Sequence, residues 1–243
     1  MARRATVIRG ARAKAEHVLV LDAGNSLLYD DEGPDSAPGA VSAAVMDQLG
    51  YDAVALGSGD LSALGPEGVA RLRDEASFTL LSANAYAAGS SELAAAPYAL
   101  LNLGERRLAV IGLTDVRDTP GWEIRDPLQA VKALMRQLRR EADVIILLSH
   151  AAQNTNRQIA LGVKGIDVII MGGSQTLAEP TRLGSSNTLL LHAEGMAGAN
   201  VGLAELYFDA QANLAEFDWE RIRLDAQIPE DMQTLRWLFS LWD

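Results

Sequence analysis

Residues 143–176 read DVIILLSHAAQNTNRQIALGVKGIDVIIMGGSQT, and this stretch decides the fold class. Two short apolar runs, 144–148 and 168–171, flank a polar, helix-compatible segment of about fifteen residues. Parallel strands need a crossover of roughly a dozen residues or more, so strand, helix and strand predict a parallel βαβ unit. The runs are continuously apolar rather than alternating, which predicts strands covered on both faces. Each run ends in a polar loop: Ser149-His150 after the first, Gly172-Gly173-Ser174-Gln175 after the second. In open α/β sheets ligands bind at such carboxyl ends.

Outward from this unit the same pattern repeats. Residues 18–21 (VLVL), 53–56 and 78–81 read as buried strands ending at 22–25 (DAGN), 57–60 (GSGD) and 82–84 (SAN). Residues 40–49 and 66–75 read as helices, the second with a proline suited to its first turn. The small, polar residues 85–96 predict a surface excursion, and 98–103 with 108–113 predict two strands across a turn at Gly104-Glu105. Asp126-Pro127 opens a helix in which Leu128, Val131, Leu134, Met135 and Leu138 recur at three- and four-residue steps. Lys132, Arg136, Arg139 and Arg140 fall on its solvated face. Strands follow at 188–191, 203–208 and 217–224, the last two an antiparallel pair.

This parse predicts one domain over 1–228 and a helical tail over 229–243. In the tail Leu235, Leu238, Phe239 and Trp242 make one stripe, while Trp237 and Leu241 spill onto the other side. Trp237, Phe239, Leu241 and Trp242 are therefore candidates for docking a protein partner or a second copy.

With 243 residues, 49% of them apolar, the chain can bury a full core. A net charge of −11 argues against nucleic acid as a partner. There is no cysteine, which excludes thiolate metal sites and a cysteine nucleophile. No run reaches the roughly 18 apolar residues of a transmembrane helix, so no membrane span is expected. The first residues, MARRATVIRGARAKAEH, are basic but lack a signal peptide's apolar centre, and read as the first helix of the fold. Localisation stays open on this evidence, with the cytoplasm as the default.

Taken together, VLVLDAGNS, MDQLGYDAVALGSGD, FTLLSAN, LAVIGLTD, the 143–176 unit and IRLDAQIPEDMQTL resemble the N-terminal metallophosphoesterase domain of the 5′-nucleotidase family, in order and approximate spacing. The resemblance implies an α/β fold, a four-layer αββα sandwich, here lacking the first family strand with its Asp-x-His. It implies two divalent metal ions at the strand ends, activating a water for attack on a phosphate ester. It also implies that this site is degenerate. Asn25 stands where the family has a metal-bridging aspartate, and Ser58 and Gly59 where it has a ligand asparagine and a catalytic histidine. Gly173 and Gln175 replace two ligand histidines, so Asp60 and His150 are the vestiges.

Two divalent ions about 4 Å apart repel by roughly 16 kcal/mol at an effective dielectric of 20. Without a bridging carboxylate and most imidazoles, no metal cofactor is expected. His150 then reads as a hydrogen-bonded relic, Asp60 as a loop-capping carboxylate and Asp22 as a turn residue. Gly57-x-Gly59 and Gly172-Gly173 remain candidates for offering backbone N–H groups to an anion. The expected function is a non-catalytic binding or structural subunit. The alternatives are a weakly active metal-dependent phosphoesterase or a metal-free small-molecule sensor.

Overall fold

A computed structural model of the chain describes residues 1–27, 37–173, 177, 179–193 and 198–240. Helix α1 (Ala2–Lys14) is followed by strand β1 (Leu21–Asp22), α2 (Ala40–Leu49), β2 (Ala53–Ala55), α3 (Ser58–Glu75) and β3 (Thr79–Leu81). Strands β4 (Ala85–Ala87), β5 (Tyr98–Leu103), β6 (Arg106–Leu113) and β7 (Trp122–Ile124) come next. The organising unit is α4 (Pro127–Glu141), β8 (Val144–Ser149), α5 (Gln153–Gly162) and β9 (Val168–Met171). The chain then forms β10 (Thr181–Leu183), β11 (Thr188–His192), β12 (Asn200–Phe208), β13 (Leu214–Arg223) and α6 (Met232–Ser240).

Two sheets form the middle of the molecule. One is parallel, in the order β1-β2-β3; the other is mixed, in the order β10-β11-β9-β8-β6-β5. The apolar side chains divide into three layers. Val54, Leu56 and Leu80 pack outward from the small sheet against Ala5 and Ile8 of α1, Val45 and Met46 of α2, and Leu61 and Leu72 of α3. Ile145 and Leu147 of β8 pack outward from the large sheet with Val131, Met135 and Ile159 of α4 and α5. Their neighbours Val144, Ile146 and Leu148 point the other way, into the inter-sheet layer with Ala53, Ala55 and Leu81. Three apolar seams between helix, sheet, sheet and helix make the four-layer αββα sandwich. The continuous apolar run of β8 follows, because both of its faces are covered.

The sheets come close together at Gly112 of β6. A Cβ added there would lie 2.6 Å from the Leu81 carbonyl oxygen and closer still to the Leu81 side chain. Only glycine fits at that crossing.

Several local expectations need correction. Helix α3 begins at Ser58, eight residues before 66, because Gly57 and Asp60 form its capping arrangement; it bends at Gly65, whose φ is +62°. Residues 85–96 are a surface excursion only at 88–92, which are exposed; at its two ends Ala85, Ala94 and Ala95 are buried and β4 pairs with β7. Small alanine side chains let that loop lie against the core, which composition alone hides. Strand β7 carries no alternation long enough to be read.

The tail is also rearranged relative to its helical stripe. Trp237 and Leu238 pack against the helix-side core, whereas Phe239 is 65% exposed. Trp237 is only half-buried there; Leu241 and Trp242 lie outside the described residues. Arginines of α1 hold the start of the tail, through Arg3–Glu230 at 3.1 Å and Arg9–Asp231 at 2.5 Å. Arg12 donates to the Leu49 and Gly50 carbonyls, so the basic N-terminal helix is built into the fold. Among the described residues no helix is long and apolar enough to cross a membrane.

Replacing Gly112 by alanine should force the two sheets apart where β6 meets Leu81. The expected cost is about 1–3 kcal/mol of unfolding free energy in a denaturant titration, with the far-UV spectrum retained. An unchanged midpoint would show that the crossing is looser than described.

Candidate functional site

The carboxyl ends of β1, β2, β6, β8 and β9 converge, as expected for sheet-end loops. The loop after β1 turns on Asp22, whose Oδ1 accepts from Gly24 N at 2.8 Å and Ser26 Oγ at 2.7 Å. Gly24 has φ +104°, and a Cβ there would lie 2.9 Å from Gly57 N and 3.1 Å from His150 Nδ1. The next residue, Asn25, takes φ +58°, a conformation asparagine tolerates better than most residues.

Asn25 and Asp60 join this loop to the start of α3. Asp60 is wholly buried and accepts three backbone N–H groups: Asn25 at 2.7 Å, Gly57 at 2.9 Å and Leu27 at 2.9 Å. Asn25 Oδ1 in return accepts from Gly59 N at 2.9 Å and Asp60 N at 3.3 Å. Ser58 donates from N and Oγ to the two Asp115 oxygens, at 2.8 and 2.7 Å. The N–H groups at the start of α3 are therefore filled by the chain's own side chains, with carboxylates favourably placed at the positive helix end. The Gly57-x-Gly59 turn consequently has no N–H left for an outside anion, and Gly172 N is bonded to Ser149 O at 2.8 Å. The Gly57-x-Gly59 cradle is thus occupied from within, and so is the first N–H of Gly172-Gly173.

His150, at the end of β8, completes the cluster. Its Nδ1 lies 3.0 Å from the Ala23 carbonyl and its Nε2 2.9 Å from Asn25 Nδ2. A carbonyl only accepts, so the ring carries its proton on Nδ1 and offers Nε2 to the Asn25 amide. Gly173 lies against the same ring, with its own carbonyl 3.0 Å from His192 Nε2. Gln175 lies outside the described residues. The fold thus brings Asn25, Ser58, Asp60, His150 and Gly173 to one end of the sandwich.

Asp115 is the residue that the linear reading missed. It is an acid just beyond the carboxyl end of β6, and that position was its only available signal. Beneath it, Asn84 donates to the Thr114 and Arg125 carbonyls and accepts from Thr114 N, while Thr114 Oγ1 donates to Leu56 O. These buried bonds fix the loops after β2, β3 and β6 relative to one another. Among the described residues no three His, Cys, Asp or Glu side chains converge closely enough to hold a metal ion.

The αββα sandwich has the fold of solved metallophosphoesterase domains. The chain aligns with the structure of YfkN, a calcineurin-like phosphoesterase from Bacillus subtilis, at a TM-score of 0.78 over 99% of its length; at 18% identity this speaks to the fold. It aligns with a 5′-nucleotidase precursor from Thermus thermophilus at a TM-score of 0.83 and 28% identity, over 98% of this chain and 52% of the other. In sequence it is 30% identical to a snake venom 5′-nucleotidase from Crotalus adamanteus, over 95% of this chain and 44% of the relative. No family profile matches the chain. The chain is a homologue of the 5′-nucleotidases and spans about half the length of the relatives it matches.

Burial raises the Asp60 carboxyl to about 6, outweighing the three N–H donors that pull it down. A raised carboxyl pKa means the native state holds its proton more tightly than the unfolded chain does. This contribution is therefore full below about pH 4 and is lost as pH rises through 6, a span of about 3 kcal/mol. Unfolding titrations of the native chain and Asp60→Asn at pH 4, 5, 6 and 7 should diverge in that direction. Parallel curves would show that Asp60 titrates at an ordinary value.

Proposed function

We propose that this chain is a 5′-nucleotidase homologue that acts as a binding or structural subunit and not as a hydrolase. The observation that carries this reading is the Asn25–His150 hydrogen bond. A metal ion would take the His150 Nε2 lone pair, and here an uncharged amide N–H takes it. The same Asn25 side chain spends its oxygen on Gly59 N and Asp60 N, so neither end of it faces an open coordination position.

The remaining carboxylates support the same reading. Asp22 is engaged by Gly24 and Ser26, Asp115 by Ser58, and Asp60 is sealed beneath three N–H groups. On this reading the donor set is too small and too engaged to offset the mutual repulsion of two divalent ions, about 16 kcal/mol at 4 Å and a dielectric of 20. Gly59 and Gly173, where the family resemblance implies histidines, supply no side chain at all. With the first-turn amides of α3 also filled, a phosphate would find neither metal nor helix end to hold it. What remains is a rigid, hydrogen-bonded loop cluster that keeps the strand ends together.

The test is elemental analysis after incubation with Mn²⁺, Zn²⁺ or Co²⁺, paired with hydrolysis assays on bis-p-nitrophenyl phosphate and a nucleoside monophosphate. The expected result is substoichiometric metal and rates equal to those of buffer with the same metal. Stoichiometric metal with turnover would replace this reading by that of an active metal-dependent phosphoesterase.

A further inference from the structure

Two oppositely charged faces lie on opposite sides of the sandwich. On the helix layer outside the large sheet, Lys132, Arg136, Arg139 and Arg140 of α4 are exposed, as are Arg157 of α5 and Lys164 just after it. Arg139 lies against Gly165, next to Lys164, so the cations of both helices make one surface. Residues 127–164 hold only two acids, and both are engaged: Glu141 accepts from Gln137, and Asp143 from the Arg107 N–H. Among the described residues none of the six cations has an ion-pair partner. Such a face departs from the average surface of a chain whose net charge is −11. Lys132, Arg136 and Arg140 stand at four-residue steps, so like charges repel along it. On α5, Leu161 stands between Arg157 and Lys164 on the same stripe and is 60% exposed.

The β12–β13 hairpin carries the complement. Ala204, Leu206, Phe217 and Trp219 pack inward on the inter-sheet core. Strand alternation therefore turns Glu205, Tyr207, Glu216, Asp218 and Glu220 outward, and all five are exposed. Glu205 stands directly opposite Asp218, a pairing of like charges that weakens the ladder. The Tyr207 hydroxyl lies 2.9 Å from Glu205 and 3.1 Å from Asp218 but has a single proton to give. Among the described residues no Lys or Arg forms an ion pair with these four carboxylates.

The layer order keeps the two faces apart within one molecule. Helices α4 and α5 cover the outside of the large sheet, whereas the hairpin packs on its inside and presents its acids the other way. Only a second copy can bring them together. We propose that copies of this chain associate head to tail, the acidic hairpin face of one seated on the basic α4–α5 face of the next. Each face stores like-charge repulsion that the other relieves, and each holds one exposed apolar side chain, Leu161 or Tyr207, among its charges. The contact is heterologous, so it propagates as an open chain of molecules unless its rotation closes a ring. The 15 residues of α4 span about 22 Å, which with α5 beside it gives on the order of 400 Å² per copy. That is the low end for specific interfaces, so the association is weak and screened by salt. It stands apart from the fate of the metal site, because Asn25, Asp60 and His150 lie on neither face.

The experiment is sedimentation of the full chain over a range of concentrations, at about 20 mM and about 500 mM NaCl. Two charge-reversed variants accompany it, Arg136→Glu with Arg140→Glu on the basic face and Asp218→Lys with Glu220→Lys on the acidic one. The expected result is a mass that grows with concentration at low salt and falls to that of the monomer at high salt. Each variant alone should associate at least about tenfold more weakly, since the contact now joins like charges. An equimolar mixture of the two should regain association, because each reversed face meets its complement on the other variant. A monomer at low salt throughout, association that neither variant weakens, or a mixture that stays monomeric would overturn the proposal. Binding of the monomer to phosphatidylserine vesicles, lost in Arg136→Glu with Arg140→Glu, would assign the basic face to a lipid surface and overturn it too. None of these outcomes bears on the metal and turnover assays.

Discussion

The buried carboxylate of Asp60 is the constraint on which the site end of the molecule depends. It gathers N–H groups from two separate loops, 25–27 after β1 and Gly57 after β2, and a buried acceptor left without them would be costly. Asn25 reciprocates by accepting from Gly59 and Asp60, and its amide reaches on to His150 at the end of β8. One short chain of hydrogen bonds therefore links both sheets. Desolvation opposes the charge on Asp60, so the same group that locks the loops also makes their stability depend on pH.

The scaffold beneath is ordinary sandwich physics. Alternate residues of β8 serve two different apolar seams, and glycine at 112 lets β6 come close to Leu81 of the small sheet. The loops rest on this frame and on the Asn84–Thr114 network, which holds the ends of β2, β3 and β6 whatever chemistry stands above them.

Much of this was legible in the chain. The periodicity of 127–141, the continuous run at 144–148 and the turn signals around them determine a parallel βαβ unit, and the motif order determines kinship with the 5′-nucleotidases. The identities at Asn25, Ser58, Gly59 and Gly173 were equally plain, since a side chain that is absent from the sequence is absent from the fold. The start of α3 was not legible, because its capping partner Asn25 lies more than thirty residues away. Nor was the burial of Ala94 and Ala95, because alanine is tolerated in a loop and in a core alike.

The sequence by itself determined the order of the elements, the class of the fold and the inventory of groups at the strand ends. Only the tertiary structure decided how those groups are used. It turned the apparent anion cradle at Gly57-x-Gly59 into an internally bonded helix start and directed His150 Nε2 onto an amide. It packed one side of Trp237 against the helix-side core while leaving Phe239 outward. The physical reason is common to all of these. Hydrogen-bond partnership and burial are relations between residues distant in sequence, and no local pattern encodes which of two distant groups will meet.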